Sequence, residues 1–167
     1  MNDEQVKEAL TAALRARTEW EEKPGLYFVS SLTGVRERSI FDMWPDPPTH
    51  ALPILADAFE DGASALASLR PSDFIGIAFR CEAWSVSSSK EEYDSPVMEV
   101  MRQDRLLHLH GNRVELRMIT AAILGGKCFM ATQSRGSEEI VIHEGELTGR
   151  VPDSLRRITA ALMAGVN

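Results

Sequence analysis

The run from Phe74 to Val86 constrains this chain most. It alternates, so that Ile75, Ile77, Phe79, Cys81 and Ala83 share one face and Phe74, Gly76, Ala78, Arg80, Glu82 and Trp84 share the other. Successive side chains of a strand point to opposite sides of its sheet, so this pattern reads as one long strand. The first face is apolar throughout and must be core. The second starts apolar and turns charged, so a covering layer is expected over its beginning only.

The flanking segments supply that layer. An N-terminal helix is expected over 3–21, capped by Asn2 with Gln5 in the capping-box position, and Val6, Leu10 and Leu14 fall on one stripe that Trp20 extends. A hairpin follows, with strands over 26–32 and 35–41 around Thr33-Gly34. Trp44-Pro-Asp-Pro-Pro48 forms a stiff connection into a helix over 50–69, which Asp61-Gly62 divides. Beyond Val86, the serine-rich stretch 87–96 reads as a mobile loop. Residues 97–110 suit either a helix begun by Pro96 or a strand entering a turn at Gly111-Asn112. Strands are expected over 113–123 and 127–133, joined by Gly125-Gly126, and over 139–143 at an edge. A last helix covers 153–164.

The order α-β-β-α-β-β-β-α lacks alternating βαβ units, which excludes a doubly wound parallel sheet. It predicts an α+β fold, a mostly antiparallel five- to six-stranded sheet with flanking helices. Ile77, Phe79, Leu116, Met118, Phe59, Leu66 and Leu10 are the expected core. The element order is similar to that of the roadblock and profilin-like families, in which helices sandwich a five-stranded sheet. At 167 residues the chain fits a single domain, 1–167, and its 44% hydrophobic and 26% charged residues are ordinary for one.

Charge and cysteine content narrow the function classes. The formal charge is −7, and residues 43–112 hold 11 acids against 5 bases. Such a chain lacks the basic footprint of a generic nucleic-acid binder. No stretch is apolar enough to cross a membrane, and the polar N-terminus does not read as a signal peptide. Two cysteines, Cys81 and Cys128, make no disulfide framework and are expected reduced, in a cytoplasmic protein.

Several constellations could carry chemistry. His108 and His110 would share a face if they lay on a strand, but nothing supplies a third ligand, so no metal is expected. Arg80, Glu82 and Trp84 on one strand, with Arg113, Glu115 and Arg117 on another, form either an ion-paired sheet face or the floor of a polar pocket with Glu82 as its acid/base group. Cys128, just after a glycine turn, is the more accessible thiol. The phosphate-binding, dinucleotide-binding, nucleophile-elbow and zinc motifs are missing, and no cofactor is expected.

Around Phe79-Arg-Cys-Glu-Ala-Trp84 and Asn112-Arg-Val-Glu-Leu-Arg-Met118 the chain resembles a group of uncharacterised small proteins of actinobacteria and their phages, over residues 74–135. The resemblance implies a host range and a cytoplasmic setting, and no mechanism.

The expected function is therefore that of a small cytoplasmic accessory protein, a non-enzyme that acts by binding a protein partner or itself as a homodimer. Trp44, set among prolines, and the apolar outer face of Ile119, Ala121 and Ile123 are the expected anchors. The rival reading is an enzyme or small-ligand binder with a pocket over Arg80, Glu82 and Trp84.

Overall fold

The computed structural model describes residues 1–86, 88–103 and 106–165, and of Ser64, Leu66 and Ala67 the backbone alone. Helix α1 (Asp3–Arg15) starts from a capping box in which Asn2 and Gln5 each bond the other's backbone N–H. Its Val6, Leu10 and Leu14 are fully buried. Their burial is worth about 2 kcal/mol each, more than the cap's roughly 1 kcal/mol, so the sheet holds this helix more than the cap does.

Strands β1 (Gly25–Ser30) and β2 (Gly34–Val35) form the expected hairpin, with Gly34 at φ 71° in its turn. The second strand is far shorter than 35–41. The Ser39 hydroxyl takes the N–H of Leu26 and of Phe41 in place of ladder bonds, and beyond Val35 the segment keeps to β1 through Arg36 and Ile40 N–H bonds and an isolated bridge between Leu26 and Phe41. A 3-10 turn (Pro48–His50) leads into α2 (Ala51–Asp61), and Gly62 separates it from α3 (Ala63–Leu66), the division expected at Asp61-Gly62.

Strand β3 (Phe74–Val86) lies in the sheet interior between β1 and β4 (Arg113–Ile123). Strands β5 (Cys128–Ser134) and β6 (Val141–Gly145) complete an antiparallel sheet of order β2-β1-β3-β4-β5-β6. Edge strand β6 begins two residues later than expected, because the Ser137 hydroxyl holds the Glu139 N–H in the preceding turn. Helix α6 (Arg150–Ala164) starts earlier than expected and carries buried Leu155, Ile158 and Leu162.

Both sheet faces are covered. On one side α2 and α6 enclose Leu26, Phe28, Ile77, Phe79, Cys81, Ala122 and Cys128. On the other, α1 encloses Val29, Ala78, Ile119, Ala121, Phe129 and Ala131. The expected faces of β3 are exchanged at its start. Val29 faces Gly76 but Ser30 faces Phe74, so the β1–β3 register slips and Ile75 crosses to the α1 side while Phe74 joins Phe79. Of the expected core, Ile77, Phe79 and Leu10 are buried, and Leu116, Met118 and Phe59 are half-buried. The Leu66 side chain lies outside the described residues.

The described residues of 97–110 form no strand. Pro96–Gln103 form helix α5, whose Met98 N–H is capped by the Ser95 hydroxyl, and Leu107–Leu109 form a 3-10 turn. The serine-rich stretch before it, from Ser88 onward, contains the helical turn α4 (Lys90–Tyr93), with Ser89 as its cap. Ser87 lies outside the described residues. No helix among the described residues is long and apolar enough to cross a membrane.

Candidate functional site

Strands β3 and β4 run past the end of α1, and there the α1-side face turns polar. The register places Glu82 opposite Arg117 and Trp84 opposite Glu115. The expected cross-strand ion pair between Glu82 and Arg117 does not form among the described residues. Each is engaged instead by the chain that follows α1. Glu82 accepts the backbone N–H of Glu21 at 2.9 Å and of Glu22 at 3.2 Å. Arg80 pairs with the Glu22 carboxylate and donates to the Lys23 carbonyl at 3.2 Å. Arg117 is buried; it donates to the Arg17 carbonyl and to the Gln133 side chain. Trp20 lies 5.3 Å from both the Arg117 and the Arg135 guanidinium, and Arg135 pairs with Glu115 at 2.6 Å.

The structure thus brings Arg80, Glu82, Glu115 and Arg117 into one cluster, with Trp20 and Glu22 as members the sequence reading missed. Trp84 and Arg113 continue it outward, the guanidinium 5.9 Å from the indole ring. The expected pocket is closed. The cavity among Arg17, Glu22, Arg80, Glu82 and Arg117 measures about 10 Å³, room for at most one water. Arg80 also borders an open groove of about 570 Å³ between α1 and the hairpin, together with Arg17, Arg36, Tyr27 and Ile119. All three arginines there already have carboxylate partners, Glu22 for Arg17 and Arg80 and Asp73 for Arg36.

Nor do the thiols and imidazoles assemble a reactive site. Cys81 and Cys128 are free and buried. Burial pushes the Cys81 thiol up to about 12 and raises Cys128 as well, so neither offers a thiolate near neutrality. The access expected for Cys128 is absent because α6 lies over it, its sulfur 3.9 Å from the Pro152 carbonyl. His108 and His110 fall around a 3-10 turn, which rotates residues two apart onto different sides. His110 faces Glu92 at 3.2 Å through Nε2 while its Nδ1 accepts the Asn112 N–H. Among the described residues no three His, Cys, Asp or Glu side chains gather as a metal site requires.

The expected apolar anchors are placed differently. Ile119 and Ala121 are buried beneath α1. Trp44 packs on its own core, its ring 4.8 Å from Phe41 and 5.0 Å from Phe79, and its Nε1 donates to the Phe41 carbonyl at 3.0 Å. Exposed apolar side chains include Leu32, Met43 and Ile54, and several more fall in the connection between β3 and β4. Helix α5 turns Met98 inward and leaves Val97 and Val100 exposed, with Tyr93 before it and Leu109 after it exposed too. The spacing of Val97, Met98, Val100 and Met101 held that signal, as a stripe wider than one buried residue needs.

Comparison with protein-family models, curated proteins and solved structures returns no match.

Proposed function

We propose that this chain is a small non-catalytic cytoplasmic protein that acts by binding protein, with a second copy of itself as the partner and the outer face of α5 as the contact. One observation carries the reading: α5 is amphipathic, yet Val97 is 66% and Val100 50% exposed while only Met98 is buried. A helix on a self-sufficient monomer turns its apolar stripe to the core, and an apolar stripe left outward is what interfaces use. The cytoplasmic setting is supported by two buried free thiols and by the resemblance to actinobacterial and phage proteins, among which an accessory role fits. The charge of −7 argues against generic nucleic-acid binding. For the rival reading, a pocket over Arg80, Glu82 and Trp84, the cavity that Arg80 and Glu82 share measures only about 10 Å³.

Light scattering of the unmodified chain and of a Val97→Glu, Val100→Glu variant tests the surface. Both positions are exposed, so the variant keeps its circular dichroism spectrum. The unmodified chain is expected as a dimer at micromolar concentration and the variant as a monomer. A variant that dimerises as well as the parent contradicts the assignment to α5.

A further inference from the structure

Thr120 sits mid-strand in β4, opposite Phe79 on β3 and Met130 on β5. Its side chain shares the α6-side face with Met118 and Ala122. Thr120 is 1% exposed, and its Oγ1 has no hydrogen-bond partner. Buried hydroxyls are almost always paired, and one that is not calls for a reason, since valine would fill the same space without an orphaned polar atom.

Thr120 lines an open-sided cavity of about 320 Å³ at the start of α6. Met118, Met130, Leu147 and Val151 give it an apolar part, and Thr49 and Thr148 line it as well. The size matches the small end of ligand pockets, which run from about 300 to 1,000 Å³. Met118 and Met130 flank Thr120 in the ladder, and flexible thioether side chains can swing aside to bare the hydroxyl.

The cavity also has a cation in its lining, Arg150. Helix α6 begins behind Gly149, which has no side chain to cap it, and its first residue is exposed Arg150. Among the described residues Arg150 has no carboxylate partner. A cation at a helix N-terminus adds to the positive end of the macrodipole and favours a bound anion. Asp153 offsets this only in part, since its carboxylate is engaged by the Gly149 N–H at 3.0 Å and by Arg156 at 2.8 Å.

We propose that this cavity binds a small phenolic carboxylic acid. Its carboxylate pairs with Arg150, its ring lies against Met118, Met130 and Val151, and its hydroxyl meets Thr120 Oγ1. An aromatic body suits walls of methionine, whose sulfur makes favourable contacts with ring edges. The site lies on the α6 side of the sheet and does not depend on docking through α5.

Calorimetric titration with para-hydroxyphenylpropionate, phenylpropionate and para-ethylphenol tests it. The protein is the unmodified chain, Thr120→Val and Arg150→Gln. Thr120→Val keeps the shape and removes the orphaned hydroxyl, and Arg150 is exposed, so both variants fold. The unmodified chain is expected to bind para-hydroxyphenylpropionate most tightly. Thr120→Val should lose about five- to tenfold for it, the worth of one hydrogen bond, and nothing for phenylpropionate. Arg150→Gln should weaken both acids and leave para-ethylphenol unchanged. No heat with any of the three at millimolar probe, or an unchanged preference in either variant, overturns the proposal.

Discussion

The Glu82 carboxylate accepts the Glu21 backbone N–H at 2.9 Å, and Glu21 holds a left-handed φ of 68°. The next N–H, that of Glu22, converges on the same carboxylate. Two successive backbone N–H groups around one anion form a nest, and here a side chain from 60 residues away along the chain fills it. The chain after α1 is thereby tied across the polar end of β3 and β4. Glu82, the residue with the best sequence credentials as an acid/base group, fastens a strap.

Replacing Glu82 by Gln leaves one acceptor oxygen and turns an amide donor toward a backbone N–H. The expected loss is about 1–3 kcal/mol, read as a lower urea midpoint with unchanged slope. A variant as stable as the parent would show that the nest does not hold the strap.

Gly76 stands opposite Ile123, where β3 meets the end of β4. A Cβ there would fall inside contact distance of the Ala122 carbonyl oxygen and 2.9 Å from the Ile123 Cα, both backbone. Gly76→Ala is expected to cost about 2–3 kcal/mol through forced separation of the ladder. Thermal melting checks this, and an unchanged midpoint would refute the close approach.

The two thiols should be silent in the native state and reactive in the unfolded one. A disulfide-exchange reagent at about pH 8, just below the ordinary thiol range, is expected to titrate both only after denaturant is added. Cys81 adds a pH dependence. Its folded value near 12 lies above the ordinary 9.0, so the folded state holds the proton longer. Stability is therefore full below 9.0 and falls as pH rises toward 12. Cys81→Ala should flatten that alkaline decline, and an unchanged decline in the variant would contradict the burial of this thiol.

Acid acts through Asp73. Its carboxylate is held below the ordinary 3.8 chiefly by the Ser30 hydroxyl, with help from the Arg36 guanidinium at 2.9 Å. The stability it contributes is present above 3.8 and is lost as pH falls through its lower folded value. Urea titrations across that range should show Asp73→Asn losing less stability on acidification than the parent. Parallel curves would contradict the coupling.

The fold was legible where patterns were long. The alternation of Phe74 to Val86, the capping pair Asn2 and Gln5, and the stripe of Leu155, Ile158 and Leu162 each mark an element without help from distant residues. Errors came where a side chain competed with the backbone. Ser39 cut β2 short, Ser137 delayed β6, and Ser89 and Ser95 capped α4 and α5 in a stretch whose serines read as a loop. The candidate site was half legible. Arg80, Glu82, Glu115 and Arg117 do meet, but the space above them is closed by Trp20, which the apolar stripe places in a helix over 3–21 although α1 ends at Arg15, and by Glu22 just beyond that range. The orphaned Thr120 gave no signal, since a threonine in the run Met118 to Ile123 is ordinary for a strand.

Sedimentation equilibrium of the unmodified chain over the micromolar range tests the central claim most directly. The account predicts a concentration-dependent mass rising toward twice the 18.5 kDa of the chain, with amide exchange in Pro96–Gln103 slowing in step. A mass that stays at 18.5 kDa at every concentration would contradict it.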